Sequence, residues 1–95
     1  MNLIFKIKDK SGRLVHLSKE RWIHIIQEHP ELTNKIESIK ETILNPTTIK
    51  TYSYEINIKH FYSWNKISKK YLIVIVKYLN GNGFVITSFY TRKLK

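Results

Sequence analysis

The sequence contains no cysteine, and it has only two prolines and three glycines in 95 residues. Without cysteine the chain can form neither a disulfide framework nor a thiolate metal site, so the cytoplasm is the expected location. Scarce proline and glycine, with a hydrophobic share of 42% and an aromatic share of 13%, exclude a disordered chain. One domain over residues 1–95 is expected, because this length has room for one core.

Long hydrophobic runs are also missing. Polar residues interrupt every apolar stretch before it reaches the roughly 18 residues that a membrane helix requires. Residues 1–10 alternate apolar and basic side chains, which is not the pattern of a secretory signal. The sequence therefore predicts no membrane partner.

The second half of the chain has a single acidic residue. Residues 47–95 contain nine Lys or Arg against one acid, Glu55, whereas residues 1–46 contain eight against six, so +8 of the net +10 lies in the second half. A positively charged surface attracts polyanions, of which RNA and DNA are the commonest. The alternative is a composition inherited from an AT-rich genome, but genome bias alone would not remove the acids from one half. We expect nucleic-acid binding.

The first half predicts a hairpin followed by two helices. Alternating residues at 3–8 and 13–17 flank turn residues at 9–12, which is typical of a β-hairpin. Ser18 is a good N-cap for a helix from about Lys19 to Glu28. Apolar residues from Leu32 to Ile43 repeat at helical spacing until Asn45-Pro46, which predicts the second helix.

The second half changes to a period of two. It predicts an antiparallel meander of about four strands, at Ile49–Tyr54, Ile56–Trp64, Tyr71–Leu79 and Phe84–Thr91, with a basic loop at 65–70. The expected fold is α+β, with an N-terminal β-hairpin, two helices on one face and this meander.

The hairpin at Asn80-Gly81-Asn82-Gly83 sets which side chains share a face. A turn centred on Gly81 and Asn82 places one apolar set towards the core: Leu72, Val74, Val76, Val85 and Phe89. The other face then carries Ile73, Ile75, Lys77, Ile86, Ser88 and Tyr90. This second face can be either an RNA-facing surface or a partly solvated sheet face.

Four histidines invite a metal hypothesis that their spacing does not support. His24 and His29 are five residues apart, about 140° around a helix, whereas two ligands on one helix face are three or four apart. No cysteine and no carboxylate cluster completes a site. We expect neither a metal nor another cofactor, unless the helix breaks at Pro30 and redirects His29. We expect His16 and His60 to be surface residues.

Metal-independent cleavage of RNA requires a base for the 2′-hydroxyl proton, a cation for the phosphorane and an acid for the leaving 5′-oxygen. His24 falls on the polar side of the first helix and is free to act. His29 continues the apolar stripe, so a structural role as a helix-end cap competes with a catalytic one. Lys77 follows the run from Leu72 to Val76, where an apolar residue is expected, and the alternative is an edge lysine extended to solvent.

The candidates for RNA binding each have a structural alternative. Arg21 can pair with neighbouring glutamates on the helix surface. Aromatic residues at 62, 64 and 90 can stack on bases or simply pack, and the hydroxyls of Thr87, Ser88 and Thr91 can bind phosphate or simply favour strands. The candidate binding residues are Arg21, Tyr62, Lys69, Lys70, Thr87, Tyr90 and Arg92.

Four segments resemble a known group of proteins: Arg21-Trp22-Ile23-His24-Ile25, His29-Pro30-Glu31-Leu32, the strand Tyr71–Lys77 and the strand Phe84–Thr91. The group is the small phage and prokaryotic nucleases of the barnase, EndoU, colicin and RelE-like (BECR) fold. The resemblance runs from about Leu17 to Lys93. The chain departs from the group's pattern at Ser88, where a small residue such as alanine is expected, and in its unusually basic loop at 65–70.

The resemblance implies a metal-independent endoribonuclease that acts on mRNA or tRNA and leaves a 2′,3′-cyclic phosphate. It also implies a toxin that is neutralised by an acidic antitoxin protein. Carried over residue by residue, it implies that the catalytic residues are His24, His29, Lys77, Ser88 and Thr91. A histidine is the implied acid or base and Lys77 the cation for the transition state, while Arg92 and the hydroxyls of Thr87, Ser88 and Thr91 hold phosphate.

Two further functions are compatible with the residues. A non-catalytic module could bind RNA or DNA through the basic sheet and its aromatic residues, with no use for histidine. A protein-interaction module could bind an acidic partner, which is compatible with the toxin hypothesis.

Overall fold

The computed structural model describes residues 2–52 and 55–94, without the side chain of Tyr52. The elements in chain order are β1 Leu3–Lys8, β2 Leu14–Ser18, α1 Lys19–Glu28, a 3-10 turn Pro30–Leu32, α2 Ile36–Leu44, β3 Thr48–Tyr52, β4 Glu55–Asn65, β5 Lys70–Leu79 and β6 Asn82–Thr91. The last two residues of the predicted strand Ile49–Tyr54 lie outside the described residues. Within the described ranges, no helix has the length and apolarity needed to cross a membrane.

Both predicted helices form, and α1 has the predicted bounds. The Ser18 hydroxyl accepts a hydrogen bond from the Arg21 backbone N–H at 3.1 Å, which caps the helix. The second helix begins at Ile36, not at Leu32, because Pro30 starts a separate turn in which the Leu32 N–H bonds to the His29 carbonyl. This turn lets Leu32 enter the core on its own.

The strands form one mixed sheet of six, in the order β1-β2-β6-β5-β4-β3. The α+β class and the N-terminal hairpin are confirmed. The sheet is larger than the predicted antiparallel meander of about four strands, because the hairpin joins it and makes six. Residues Val15 and His16 of β2 pair in parallel with Gly83 and Phe84 of β6, which joins the hairpin to the meander. A pairing between such distant segments leaves no periodic signal in either of them.

The β5–β6 hairpin corrects two details of the predicted faces. Leu79 pairs with Asn82, so the turn residues are Asn80 and Gly81, with φ of 53° and 83°, as a type I′ turn requires. A β-bulge then leaves Ile86 unpaired, because Val76 pairs with Val85 whereas Ile75 pairs with Thr87.

The bulge reverses the predicted faces beyond Ile86, because one extra residue turns every later side chain to the other side. Ser88 and Tyr90 pair with Val74 and Leu72, on the core side, and Phe89 pairs with Ile73. The prediction was therefore right for Val76 and Val85 and wrong for Ser88, Phe89 and Tyr90.

The core lies between the helices and one face of the sheet. Contacts of α2 with β4 and β5, and of α1 with β1, β2 and β6, place both helices over this face. The buried cluster comprises Phe5, Val15, Leu17, Trp22, Ile25, Leu32, Ile39, Ile43, Phe61, Leu72, Val74, Val76, Tyr78 and Val85. Among the side chains that the structure describes, those of β1, β2, β4, β5 and β6 contribute to it and those of the edge strand β3 do not, so the core joins these five strands.

A buried carboxylate ties the first hairpin to β5. The Asp9 carboxylate accepts hydrogen bonds from the Ser11 N–H at 2.9 Å, the Ser11 hydroxyl at 2.6 Å and the Arg13 N–H at 3.0 Å. Its second oxygen accepts the Tyr78 hydroxyl at 2.6 Å, and the Arg13 guanidinium lies 3.8 Å from the centre of the Tyr78 ring. We call Asp9, Ser11, Arg13 and Tyr78 the Asp9 network.

Stability should fall in acid because of Asp9. Burial acts to raise the pKa of Asp9, but hydrogen bonds from Ser11, Tyr78 and Arg13 outweigh burial, so its pKa lies below the usual value. A carboxyl with a lowered folded-state pKa stabilises the fold above its unfolded pKa and loses that contribution as pH falls through the folded value. We expect the urea midpoint of the protein to drop from about pH 5 downward. The Asp9→Asn variant should lack this part of the decline. If the urea midpoints of the variant and of the wild type fall in parallel as the pH is lowered, Asp9 is not the cause.

Gly83 is held against the Tyr78 ring. A Cβ at position 83 would lie 2.8 Å from Tyr78 Cε1 and 2.9 Å from Val76 Cγ1, closer than real Cβ contacts. The Tyr78 ring cannot move away without losing its bond to Asp9. We expect Gly83→Ala to lower the free energy of unfolding by about 1–3 kcal/mol. Gly12→Ala is the comparison, because its Cβ would meet no atom within 4 Å and only its positive φ opposes the change; equal losses would contradict the packing argument.

Candidate functional site

His29 lies where α1 ends and contacts the last part of β6. Its backbone N–H bonds to the Ile25 carbonyl at 2.7 Å, so the residue ends the helix through its backbone, whereas the structural alternative expected a cap by the imidazole. Its ring also stacks on Phe89, with ring centres 5.6 Å apart and planes at 28°. About a third of the side chain remains exposed, with Nδ1 3.8 Å from Glu31 Oε2. The helix-end role and an accessible imidazole therefore coexist.

Tyr90 lies near Glu31, the partner of this imidazole, and near Lys70. Burial raises the pKa of Tyr90, and the nearby negative charge of Glu31 raises it further, so the phenol keeps its proton near neutral pH. The Lys70 ammonium lies 5.7 Å from the centre of the Tyr90 ring. We call His29, Glu31, Lys70, Phe89 and Tyr90 the His29 cluster.

A groove opens beside Tyr90, between α2 and the turn that joins β4 to β5. Its cavity of about 350 Å³ is lined by Ser38, Glu41, Thr42, Ser63, Trp64, Asn65, Lys66, Ile67, Leu72 and Tyr90. This volume is in the range of small-ligand pockets. The exposed indole of Trp64 and the phenol of Tyr90 provide aromatic surface in it.

The β4–β5 turn holds its lysines at the mouth of this groove. The Asn65 side chain accepts hydrogen bonds from the Ile67 and Ser68 N–H groups, at 2.9 and 3.1 Å. Lys69 adopts a φ of 56°, and its N–H bonds to the Asn65 carbonyl. These local bonds shape the turn, so the lysine side chains stay exposed at 66 and 69.

The His29 cluster contains the group types that acid–base chemistry on a phosphodiester needs. An imidazole beside a carboxylate can exchange a proton. A protonated phenol and an ammonium can stabilise negative charge on phosphate oxygens. The groove next to them can hold a base.

Of the five predicted catalytic residues, His24 and Lys77 lie away from this cluster, and Ser88 adjoins it but is buried. His24 is exposed on α1. Lys77 pairs with Phe84 and Ile58, four residues along β5 from the Ile73–Phe89 pair, which is roughly 13 Å at the rise of a strand. Ser88 is fully buried and its hydroxyl donates to the Ile73 carbonyl at 2.7 Å, so it is closed to substrate. Of the remaining two, His29 belongs to the cluster, and Thr91 ends β6 within 3.2 Å of the Lys93 carbonyl.

The predicted binding residues divide in the same way. Tyr90 and Lys70 belong to the His29 cluster, Lys69 lies in the adjacent turn, and Arg92 is exposed just after β6. Tyr62 is fully buried, edge to face with Tyr71, so it presents no ring to a base. The remaining two are Arg21, exposed on α1, and Thr87, paired with Ile75.

Two members of the cluster were not among the sequence candidates. Glu31 is two residues after His29, and the turn begun by Pro30 brings its carboxylate back towards the imidazole. The proline between a histidine and an acid was a usable signal. The sequence pattern predicts that Phe89 faces the core. The bulge at Ile86 turns it to the other face, where it contacts His29.

The histidines and acids of residues 2–52 and 55–94 form no group of three that could hold a metal ion. His16 and His60 lie on strands and are half-buried, not fully at the surface. Burial lowers the pKa of His60, and the charge of Glu55 opposes this shift. Comparison with protein-family models, with curated proteins and with solved structures finds no match to this chain.

Proposed function

We propose that this protein is a metal-independent endoribonuclease whose active site is the His29 cluster. The observation that carries the proposal is the contact of an accessible imidazole with a carboxylate on one side and with the end of β6 on the other, where a phenol and an ammonium follow. The excess of nine basic residues over one acid in the second half supports RNA as the ligand.

The reaction uses the 2′-hydroxyl of RNA as the nucleophile. His29 takes the proton of this hydroxyl, and the Glu31 carboxylate stabilises the imidazolium that results. The 2′-oxygen attacks phosphorus and the bond to the 5′-oxygen breaks. The leaving oxygen takes a proton from water, and the His29 imidazolium returns its proton to solvent, so the imidazole is a base again. The products carry a 2′,3′-cyclic phosphate and a 5′-hydroxyl.

Tyr90 and Lys70 act on the phosphate. The phenol remains protonated and donates a hydrogen bond to a non-bridging oxygen, while the ammonium supplies positive charge to the phosphorane. Arg92 and Lys69 supply further positive charge to the neighbouring phosphates of the RNA. Trp64 offers a surface on which a neighbouring base can stack.

The biological role that follows is that of a toxin acting on cytoplasmic mRNA or tRNA. Cleavage of these molecules would stop growth, so the producing cell needs an inhibitor. A protein of acidic composition would match the basic half and cover the groove.

The proposal is tested by incubating the purified protein with end-labelled RNA of mixed sequence in EDTA. We expect fragments with 2′,3′-cyclic phosphate ends. The same sequence with 2′-O-methyl groups is the control and should stay intact, because its nucleophile is blocked. RNA that is bound with a steep salt dependence but never cleaved would contradict the enzyme and leave the non-catalytic nucleic-acid-binding module.

A further inference from the structure

A row of basic and aromatic residues crosses four strands on the face of the sheet away from the helices. Lys6 of β1 pairs with His16 of β2, His16 pairs with Phe84 of β6, and Phe84 pairs with Lys77 of β5. Directly paired residues present their side chains on the same side of a sheet. Their sequence neighbours on β2, β5 and β6 are core residues, so the row faces the other way. We call these four residues the sheet-face row.

The rings at the centre of the row contact each other and remain accessible. The imidazole of His16 and the ring of Phe84 have centres 6.2 Å apart and planes tilted by 33°. Both residues are half-buried, so part of each ring is open to solvent. Lys6 and Lys77 flank the rings, three strand spacings apart, or about 14 Å.

A cavity of about 580 Å³ opens beside His16. It lies between the start of α1 and the β1–β2 hairpin, and its lining consists of Asn2, His16, Ser18, Lys19, Glu20 and Ile23. Ile23 is an apolar wall that is 43% exposed, and the lining also carries polar groups of both charges. The cavity continues the row with a concave surface large enough for a nucleoside.

The row is separate from the proposed cleavage site. Phe84 and Phe89 are five residues apart on β6, about 16 Å at the rise of a strand. Phe89 pairs with Ile73, which lies on the same face as Lys77, so RNA that passes His29 at Phe89 can reach the row with a flanking segment. Rings flanked by lysines suit such a segment, because single strands bind by stacking bases on aromatic side chains and by placing phosphates on cations. An acidic protein segment would use the lysines and leave the rings unused.

We infer that the sheet-face row is a second RNA-binding surface, which holds single-stranded RNA outside the cleavage site with bases on His16 and Phe84 and phosphates on Lys6 and Lys77. The identity of the ligand as RNA rests on the proposed function. The positions of the rings and cations do not depend on any cleavage by the protein.

The test measures binding of a fluorescent single-stranded 2′-O-methyl RNA of about 12 nucleotides, a length that such surfaces cover. This probe cannot be cleaved by attack of its 2′-oxygen. The double variant Lys6→Gln/Lys77→Gln should reduce the slope of log affinity against log salt by about 1.4, from two phosphates at roughly 0.7 each. Phe84→Leu keeps an apolar side chain but removes the ring, and should weaken binding by about fivefold or more.

The matched control is Lys10→Gln/Lys35→Gln, which removes the same charge from exposed positions off the row. Polyglutamate is the second probe, and Phe84→Leu should bind it like the wild-type protein. Thermal melting of each variant establishes that it is folded.

The inference is overturned if Lys6→Gln/Lys77→Gln behaves like the control pair. It is also overturned if Phe84→Leu binds the RNA like wild type, which would leave a surface for acidic chains in general. Loss of binding in both row variants, with no cleavage of ordinary RNA by the wild type, would support the row and reject the enzyme. Cleavage of ordinary RNA by the wild type, with no effect of the row variants on binding, would support the enzyme and reject the row.

Discussion

Replacing His29 with alanine is expected to lower the rate of RNA cleavage by about two to four orders of magnitude, the usual contribution of a general acid or base. In the proposed reaction the imidazole is the group that takes the proton of the 2′-hydroxyl. The measurement is the initial rate on end-labelled RNA in EDTA. Affinity for the 2′-O-methyl RNA should change little, because the cations that bind phosphate remain.

His24→Ala is the comparison, since both histidines are candidates from the sequence and the structure places His24 exposed on α1, five residues before His29. It should cleave at close to the wild-type rate. The reverse result, with His24 essential and His29 dispensable, would reject the His29 cluster as the active site. A melting curve for His29→Ala distinguishes lost chemistry from lost packing on Phe89.

Two milder variants test the neighbours of His29. Tyr90→Phe removes the phenol proton and keeps the ring in place, and Lys70→Gln removes the ammonium. Each should lower the cleavage rate by roughly 10- to 1,000-fold, as the loss of one transition-state donor does, with a smaller change in affinity. Equal losses in rate and affinity would mean that these residues only bind.

Replacing Asp9 with alanine is expected to lower the free energy of unfolding by about 2–4 kcal/mol, a large loss for a polar substitution. The carboxylate accepts four hydrogen bonds within the Asp9 network, and its removal leaves the buried Tyr78 hydroxyl without this acceptor. A domain of this size has about 5–15 kcal/mol in total, so the variant should be near the limit of folding at 37 °C. Urea denaturation measures the loss.

Tyr78→Phe and Lys10→Ala complete this experiment. Tyr78→Phe removes one of the four hydrogen bonds and should lower the free energy of unfolding by about 1–2 kcal/mol. Lys10 is exposed in the same turn, so Lys10→Ala should lower it by less than about 0.5 kcal/mol. The double variant Asp9→Ala/Tyr78→Phe should lose less than the sum of the single losses, because both remove the same bond. Additive losses, or an Asp9→Ala variant as stable as Lys10→Ala, would show that the network does not anchor the hairpin.

The local elements of this protein follow from its sequence. Ser18 caps α1, Pro30 interrupts the helices, and the apolar positions recur at the spacing of helices in the first half and of strands in the second. These signals act between residues a few positions apart, where propensity and side-chain spacing decide the conformation. The charge of the second half is likewise a property of composition, and the expectation of RNA as a partner follows from it.

The tertiary structure decided which of these residues meet. The parallel pairing of β2 with β6 creates the Lys6–His16–Phe84–Lys77 row, and the bulge at Ile86 places Phe89 against His29 and closes off Ser88. Asp9 was a turn residue in the sequence, and packing made it a buried anchor for Tyr78. The physical reason is that strand register and long-range pairing depend on contacts between distant segments, and one residue of shift exchanges the two faces of a strand. Periodicity survives such a shift unchanged, so the sequence could name His29, Lys70 and Tyr90 but could not show that they lie in one cluster.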